Sequence, residues 1–537
     1  MGALTRSLIK AGMTRTNVCT FKEDFLRLDV RDSVPVRRVV ERKQTLFYLS
    51  LFDDEVDSRL EEFLAFTPRT NWSELVLAVA ALRLEPTDAV VIACSHAEIL
   101  IARGGACNFP LYWTATADSI LVSTVLPVDR DRRLSVAGLM ASFAASATGK
   151  GEPNLALCAP LSGWFRCRRG AVSKLSSGVG CVSERLVDLV NADGTQPDRD
   201  HLTEAIRSAL DKFGRRQQGH PRAVAELSGG FDSTLAAIAT RTHGVELLGV
   251  SVHFPYYEFR FEEDIQRAVA KSLAISRVRL DGTTLFSYAP PDWWPKLDEP
   301  ATSVIGLKRD LAVARLASSE GIDRVFVGHG GDQLFSDDML EPLPPPIPLA
   351  RAAFSKAGWQ EVEHVRELMQ SIPKFLKRSV LTHLHDARLD VAMKEAFGTI
   401  TRSPFIDLEM ASCGISWARL SAHLSIREGK GILADAFAAE LPSVVTGRMS
   451  KVTWDGVCAR AYAAHGDSIV TEIERVAAPL EHIGLNVGWL VGRVDQLASW
   501  EKTAFGKDDK EVFAAYAVAT WLRSWGVERV SDCSWSD

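Results

Sequence analysis

Two short runs hold the residues best suited to chemistry. Ser228-Gly229-Gly230-Phe231-Asp232-Ser233 lies between a strand-like run, Arg222–Leu227, and a helix-like run, Ser233–Thr240. Paired glycines allow a tight turn and a close approach to a ligand. Free N–H groups at a helix start, aided by the helix dipole, attract anions. Ser228 and Ser233 add hydroxyl donors. Asp232 would repel a bare phosphate, so its presence points to a bridging Mg²⁺. The second run, Gly328-His329-Gly330-Gly331-Asp332, ends another strand-like segment, Arg324–Val327. Taken singly, each run also reads as an ordinary loop. Together they place Asp232 and Asp332 at two strand ends, where both could hold Mg²⁺ around triphosphate oxygens. A G-x-x-x-x-G-K-[ST] loop is absent, which excludes that kind of nucleotide site.

The surrounding pattern predicts the framework. Val245–Phe254 and Ser276–Leu280 are further strand candidates. Phe261, Ile265, Ala268, Val269 and Leu273 recur at helical spacing, and Leu311–Ser319 also reads as helix. Strands alternating with helices imply a parallel sheet whose site lies at the carboxyl strand ends. Leu340–Pro348 is proline-rich and reads as a surface loop or rigid spacer, and from about residue 350 onward the chain reads as helices. Residues 1–195 differ. Short β-like runs (Thr45–Leu51, Ala89–Cys94, Pro110–Thr114, Ser119–Thr124) alternate with turn residues and predict a mostly antiparallel domain. The polar stretch Val190–Asp200 reads as a linker, giving domains 1–195 and 196–537.

The 537 residues carry a net charge of −6, which disfavours a non-specific nucleic-acid binder. Nine scattered cysteines without a C-x-x-C pair argue against a disulfide framework or a structural zinc site. No apolar run is long enough for a membrane span and no secretory signal is evident, so a cytoplasmic protein with reduced thiols is expected.

The Ser228–Ser233 run resembles the pyrophosphate loop of the asparagine-synthetase-like PP-loop ATP pyrophosphatases. Ser403-Pro404-Phe405-Ile406-Asp407 looks like that family's P-F-L-D segment. Lys430-Gly431-Ile432-Leu433 with Leu441-Pro442 resembles its helix and L-P turn. Arg448 and Lys451-x-x-Trp454 resemble its R-x-K-x-x-F segment. The resemblance implies an α/β parallel sheet of PP-loop type with extra helices, binding ATP and Mg²⁺. It implies that Leu227, Val252 and Gly328 line an adenosine pocket, and that Ser228, Gly229, Gly230, Asp232 and Ser233 cradle pyrophosphate. It also implies that Lys451 stabilises charge developing beside the adenylate.

The first 195 residues resemble the family's glutaminase in outline, an α+β Ntn-hydrolase-type sandwich. Asn108–Trp113 and Ile120–Ser123 look like its P-L-Y-Y…F-A-S-E stretch. That glutaminase uses a cysteine at the mature N-terminus. Here the chain starts Met1-Gly2-Ala3 and the first cysteine is Cys19, so a degenerate domain without its nucleophile is expected. Among members without glutaminase activity, the G-H-G-G-D form is most similar to lasso-peptide cyclases. Asparagine synthetases carry Glu and β-lactam synthetases Tyr where His329 stands. The resemblance implies a precursor core peptide as substrate, with a leader peptidase and a leader-recognition protein as partners. An Asp or Glu side chain would be adenylated and then attacked by the peptide's own N-terminal amine. His329 is either the general base, since an imidazole titrates near ~6.5 unperturbed, or a residue that packs in the turn or bonds phosphate. Trp293, Trp294, Asp298 and Glu299 either contact the peptide or form an aromatic cluster under a loop. Other amide-forming ligases of the family are the alternative. A catalytically dead scaffold is disfavoured by the intact Asp232, Asp332 and Lys451.

Overall fold

A computed structural model describes residues 18–23, 26–31, 36–41, 44–50, 89–94, 99–103, 109–116, 119–126, 133–147, 158–167, 171–176, 180–186, 198–256, 259, 261–335, 349–371, 387–424, 430–447, 455–504 and 507–536. The first half contains two β-sheets. One joins β1 (Val18–Glu23), β2 (Leu26–Arg31), β8 (Ile120–Ser123), β7 (Tyr112–Ala115) and β10 (Phe165–Arg166) in that order. It is antiparallel apart from the β2–β8 pair. The other, wholly antiparallel, runs β12 (Gly180–Leu186), β11 (Ala171–Ser176), β6 (Ile99–Arg103), β5 (Ala89–Cys94), β4 (Gln44–Ser50) and β3 (Val36–Glu41). Alternate residues from both sheets (Leu26, Leu28, Val90, Ile92, Ile120, Val122) meet in one core. Period-two burial of this kind is what aligned sheets impose. β9 (Arg133–Ser135) leads into helix α1 (Val136–Ala147).

The second half opens with α2 (Arg199–Arg216), capped by Asp198, whose carboxylate accepts from the His201 N–H at 2.8 Å. The expected linker therefore ends earlier than Asp200, because Arg199 and Asp200 are already helical; residues 190–197 lie outside the described residues. A five-stranded parallel sheet follows, in the order β15 (Ser276–Asp281), β14 (Glu246–His253), β13 (Arg222–Glu226), β16 (Arg324–Phe326), β17 (Ile400–Arg402). α3 (Phe231–Arg241) and α4 (Glu262–Ser272) bury Leu235 and Val269 with Ala223 and Ala225 on one face. α5 (Leu307–Ser319) buries Val313 and Ala317 with Val224 and Val250 on the other. From β13 the chain steps to β14 on one side and from β16 it steps to β17 on the other, making the gap between β13 and β16 the switch point where such sheets bind ligands.

β17 corrects the expectation that the chain beyond about residue 350 is helical. Three residues are too short to show a period, and only pairing with β16 makes Ile400–Arg402 a strand. Around it lie α6 (Gly331–Phe335), α7 (Lys356–Ser371), α8 (Ala387–Phe397), α9 (Leu408–Leu424), α10 (Gly431–Ala436) and α11 (Ser443–Thr446). α12 (Asp455–Arg475), α13 (Ala477–His482), α14 (Val487–Ala498) and α15 (Lys510–Ser524) complete the helices, and β18 (Ser534–Ser536) ends the order. Leu340–Pro348 lies outside the described residues. None of the described helices is long and apolar enough to cross a membrane.

Candidate active site

Beyond Glu226 the ladder continues for one residue: the Leu227 N–H donates to Val250 O at 2.7 Å, and Ser251 Oγ donates to Leu227 O at 2.9 Å. The chain then turns through Gly229, whose φ of 80° lies in the left-handed region. A Cβ there would also come within 2.8 Å of Ile265 Cγ2 on α4. Gly230 precedes the first turn of α3 and offers no capping side chain, so no side chain of the cap takes up the N–H groups at that end. Ser228 Oγ and Ser233 Oγ are 2.9 Å apart, and the Ser228 N–H donates to Ser233 Oγ at 3.2 Å. These hydroxyls tie the loop shut across its mouth.

The Gly328–Asp332 turn packs directly against this loop. A Cβ on Gly328 would lie 2.7 Å from Asp232 Cβ, and one on Gly331 would overlap the Asp232 carboxylate. Both positions need glycine because the two turns touch, and Gly330 adopts a φ of 101°. The expected juxtaposition of Asp232 with Asp332 is therefore present. Between them stands a residue to which the sequence reading gave no role. Lys430 Nζ bonds Asp232 Oδ2 and lies 2.7 Å from Asp332 Oδ1. The signal was present in Lys430-Gly431-Ile432-Leu433, but its target appears only once α10 is docked beside the sheet.

His329 is anchored through its backbone, with Ser403 Oγ donating to His329 O at 2.6 Å. Val327 N–H donates to Arg402 O at 2.9 Å. The Ser403–Asp407 segment thereby buttresses the turn, and Phe405, wholly buried, packs on Phe335. Of the residues expected to line the adenosine pocket, Leu227 is buried and the Val252 carbonyl accepts from Gln266 Nε2 at 3.4 Å. Arg309, in the first turn of α5, is held firmly protonated by the Asp310 carboxylate beside it and, more weakly, by Glu226. Arg448, Lys451 and Trp454 lie outside the described residues.

The open question over the Trp293–Glu299 loop resolves toward packing. Trp293 meets Phe397 edge-on at 5.4 Å, and Arg523 lies over Trp294 at 4.5 Å. Asp298 and Glu299 are buried, and Glu299 Oε1 pairs with Arg166 Nε at 2.6 Å. A second histidine escaped notice in the sequence. His465 on α12 stands 6.4 Å from Phe286, its Nε2 buried without a hydrogen-bond partner among the described residues. Burial, and secondarily Lys308, lower its pKa.

The donor set suits Mg²⁺. Among the described residues no three His, Cys, Asp or Glu side chains converge as a self-sufficient metal cage. Mg²⁺ is commonly held by one or two carboxylates together with substrate phosphates, a pair that Asp232 and Asp332 would provide.

A parallel sheet with a glycine loop and an acidic turn together at its switch point supports an α/β fold of PP-loop type for the second half. Residues 205–462 match the family model for asparagine synthase, which supports an asparagine-synthetase-like, ATP-dependent amide-forming ligase. Among solved structures, NMN synthetase from Francisella tularensis is 12% identical, with 42% of this chain and 95% of that chain covered and a TM-score of 0.18. NAD+ synthetase from Burkholderia pseudomallei is 12% identical, with 44% of this chain and 99% of that chain covered and a TM-score of 0.17. No curated protein sequence matches.

Proposed function

We propose that this chain is an ATP-dependent lasso-peptide macrolactam synthetase. An Asp or Glu side-chain carboxylate of a precursor core peptide attacks the α-phosphorus of ATP, and pyrophosphate leaves. The N-terminal amine of the same peptide then attacks the activated acyl carbon, AMP leaves, and the nitrogen gives up a proton. The observation that carries the ATP-dependent step is the packing of the Ser228–Ser233 loop against the Gly328–Asp332 turn within the asparagine-synthase-like segment.

Each residue follows from its chemistry. Backbone N–H groups at the start of α3 and the Lys430 ammonium would bind the phosphates. Asp232 and Asp332 would hold Mg²⁺, which supplies positive charge against the departing pyrophosphate. His329 would accept the amine proton; its backbone is fixed in the turn by the Ser403 bond to its carbonyl. Lys451 would stabilise charge in either step. Support for a peptide substrate is the resemblance of Gly328–Asp332 to the cyclases. A leader peptidase and a leader-recognition protein belong to this reading. The asparagine synthase match leaves one alternative, an amide ligase acting on a small amine or ammonia.

The test is incubation with ATP, Mg²⁺ and a leader-free precursor peptide. The expected products are AMP, pyrophosphate and a peptide lighter by one water. ADP in place of AMP would refute adenylation. AMP formation that needs ammonia or a small amine instead of the peptide amine would favour the alternative.

A further inference from the structure

Lys430 stands where the divalent cation would stand. Its ammonium reaches both carboxylates proposed as Mg²⁺ ligands. The position is well braced. Lys430 directly precedes α10, and α2 grips that helix: Arg199 pairs with Asp435 at 2.5 Å, and Arg207 donates to Ala436 O and pairs with Glu440 at 2.6 Å. On the other side, the Gly328 and Gly331 backbones abut Asp232 and prevent its carboxylate from backing away. The side chains of Lys430 and Asp232 are only 20% and 13% exposed, so water screens their charges less than at a free surface.

An ammonium on Asp232 Oδ2 and Asp332 Oδ1 opposes a divalent cation at these two carboxylates. They compete for the same oxygens and repel each other at contact distance. The ammonium leaves these carboxylates at least cost where another anion receives it, and nucleotide phosphates beside the loop would provide one. We propose that Lys430 is a resident counterion that closes the metal position to free Mg²⁺ until nucleotide phosphates take the ammonium over. Metal then binds with the nucleotide and not before it. This inference rests on Asp232 and Asp332 being the metal ligands.

Mn²⁺ serves as the probe, followed on the full-length chain by electron paramagnetic resonance and water-proton relaxation. Wild-type protein should bind Mn²⁺ weakly alone, and roughly tenfold or more tightly with an ATP analogue carrying a methylene between its α- and β-phosphorus atoms. Lys430→Met should bind Mn²⁺ without nucleotide about tenfold more tightly than wild type, through loss of the competing charge. Lys430→Gln, which keeps a polar side chain, should do the same, and circular dichroism verifies the fold of each. Equal Mn²⁺ affinity of nucleotide-free wild type and both variants overturns the counterion role. Asp232→Asn in the Lys430→Met background should abolish the gained affinity. If Mn²⁺ binding there ignores Asp232→Asn, the metal-ligand assignment itself fails, and the counterion role with it.

Discussion

At the scale of single residues, Asp232 is constrained from several sides. It begins a helix, meets the ammonium of Lys430, and has the Gly328–Gly331 backbone against its flank. Asp232→Asn keeps the shape but halves the negative charge of the pair. AMP formation should fall by about 10²-fold or more, measured by ATP–pyrophosphate exchange, while the thermal midpoint stays close to that of wild type. Full exchange activity in this variant would remove the metal role. Gly331→Ala should be as damaging for a different reason, because its methyl group displaces the carboxylate. Overpacking of this kind costs about 1–3 kcal/mol, so loss of exchange together with a lowered urea midpoint is expected. His329→Ala should slow macrolactam closure by roughly 10²–10⁴-fold and leave exchange less affected. Equal loss in both steps would assign His329 to phosphate binding instead.

At the scale of elements, the smallest strand has a large share in shaping the site. β17 extends the sheet by three residues; its last carbonyl, Arg402 O, accepts from the Val327 N–H just before the Gly328–Asp332 turn, and Ser403 Oγ donates to His329 O within it. Ser403→Ala would remove the donor to a carbonyl at a half-buried turn. Such a loss costs about 1–3 kcal/mol, and looser placement of His329 should lower kcat for ring closure more than it raises KM for ATP. Unchanged kcat with the full stability loss would make Ser403 structural only. This element also marks where legibility ended. β13 and β16 are apolar runs closed by glycine turns, and both acidic positions were readable from them. β17 is too short for periodicity. Ser403–Asp407 was recognisable by resemblance, but nothing local said that its serine would reach His329. Lys430 was hidden for the same physical reason: α10 is six residues long, and its partners are about two hundred and about one hundred positions earlier in the chain.

At the scale of the molecule, the boundary near residue 195 separates the chain in sequence more cleanly than in space. Phe143 of α1, Trp164, Leu297 and the buried face of α15 belong to one hydrophobic core. β18, at the far end of the chain, pairs in parallel with β9 of the first half. Trp521 Nε1 on α15 and Trp525 Nε1 at its C-terminal cap both donate to Leu297 O at 2.9 Å. Two positions further on, Glu299 meets Arg166, and both side chains are nearly sealed from water, at 4% and 1% exposure. Arg166 also donates to Ser142 Oγ at 3.1 Å and to Cys158 O, so its guanidinium is fixed by the first half while its charge is answered by the second. A pair this buried is weak evidence for net stability, because desolvation offsets the attraction, yet breaking it from one side leaves a buried charge alone. Arg166→Met should therefore destabilise the protein by about 3–5 kcal/mol, read from urea unfolding. The double variant Arg166→Met/Glu299→Leu should regain most of that loss, since neither charge is then stranded. A shared core also predicts that the full chain unfolds in one calorimetric transition. Two well-separated transitions, with Arg166→Met shifting only the first, would show that the halves fold independently and that this ion pair does not couple them.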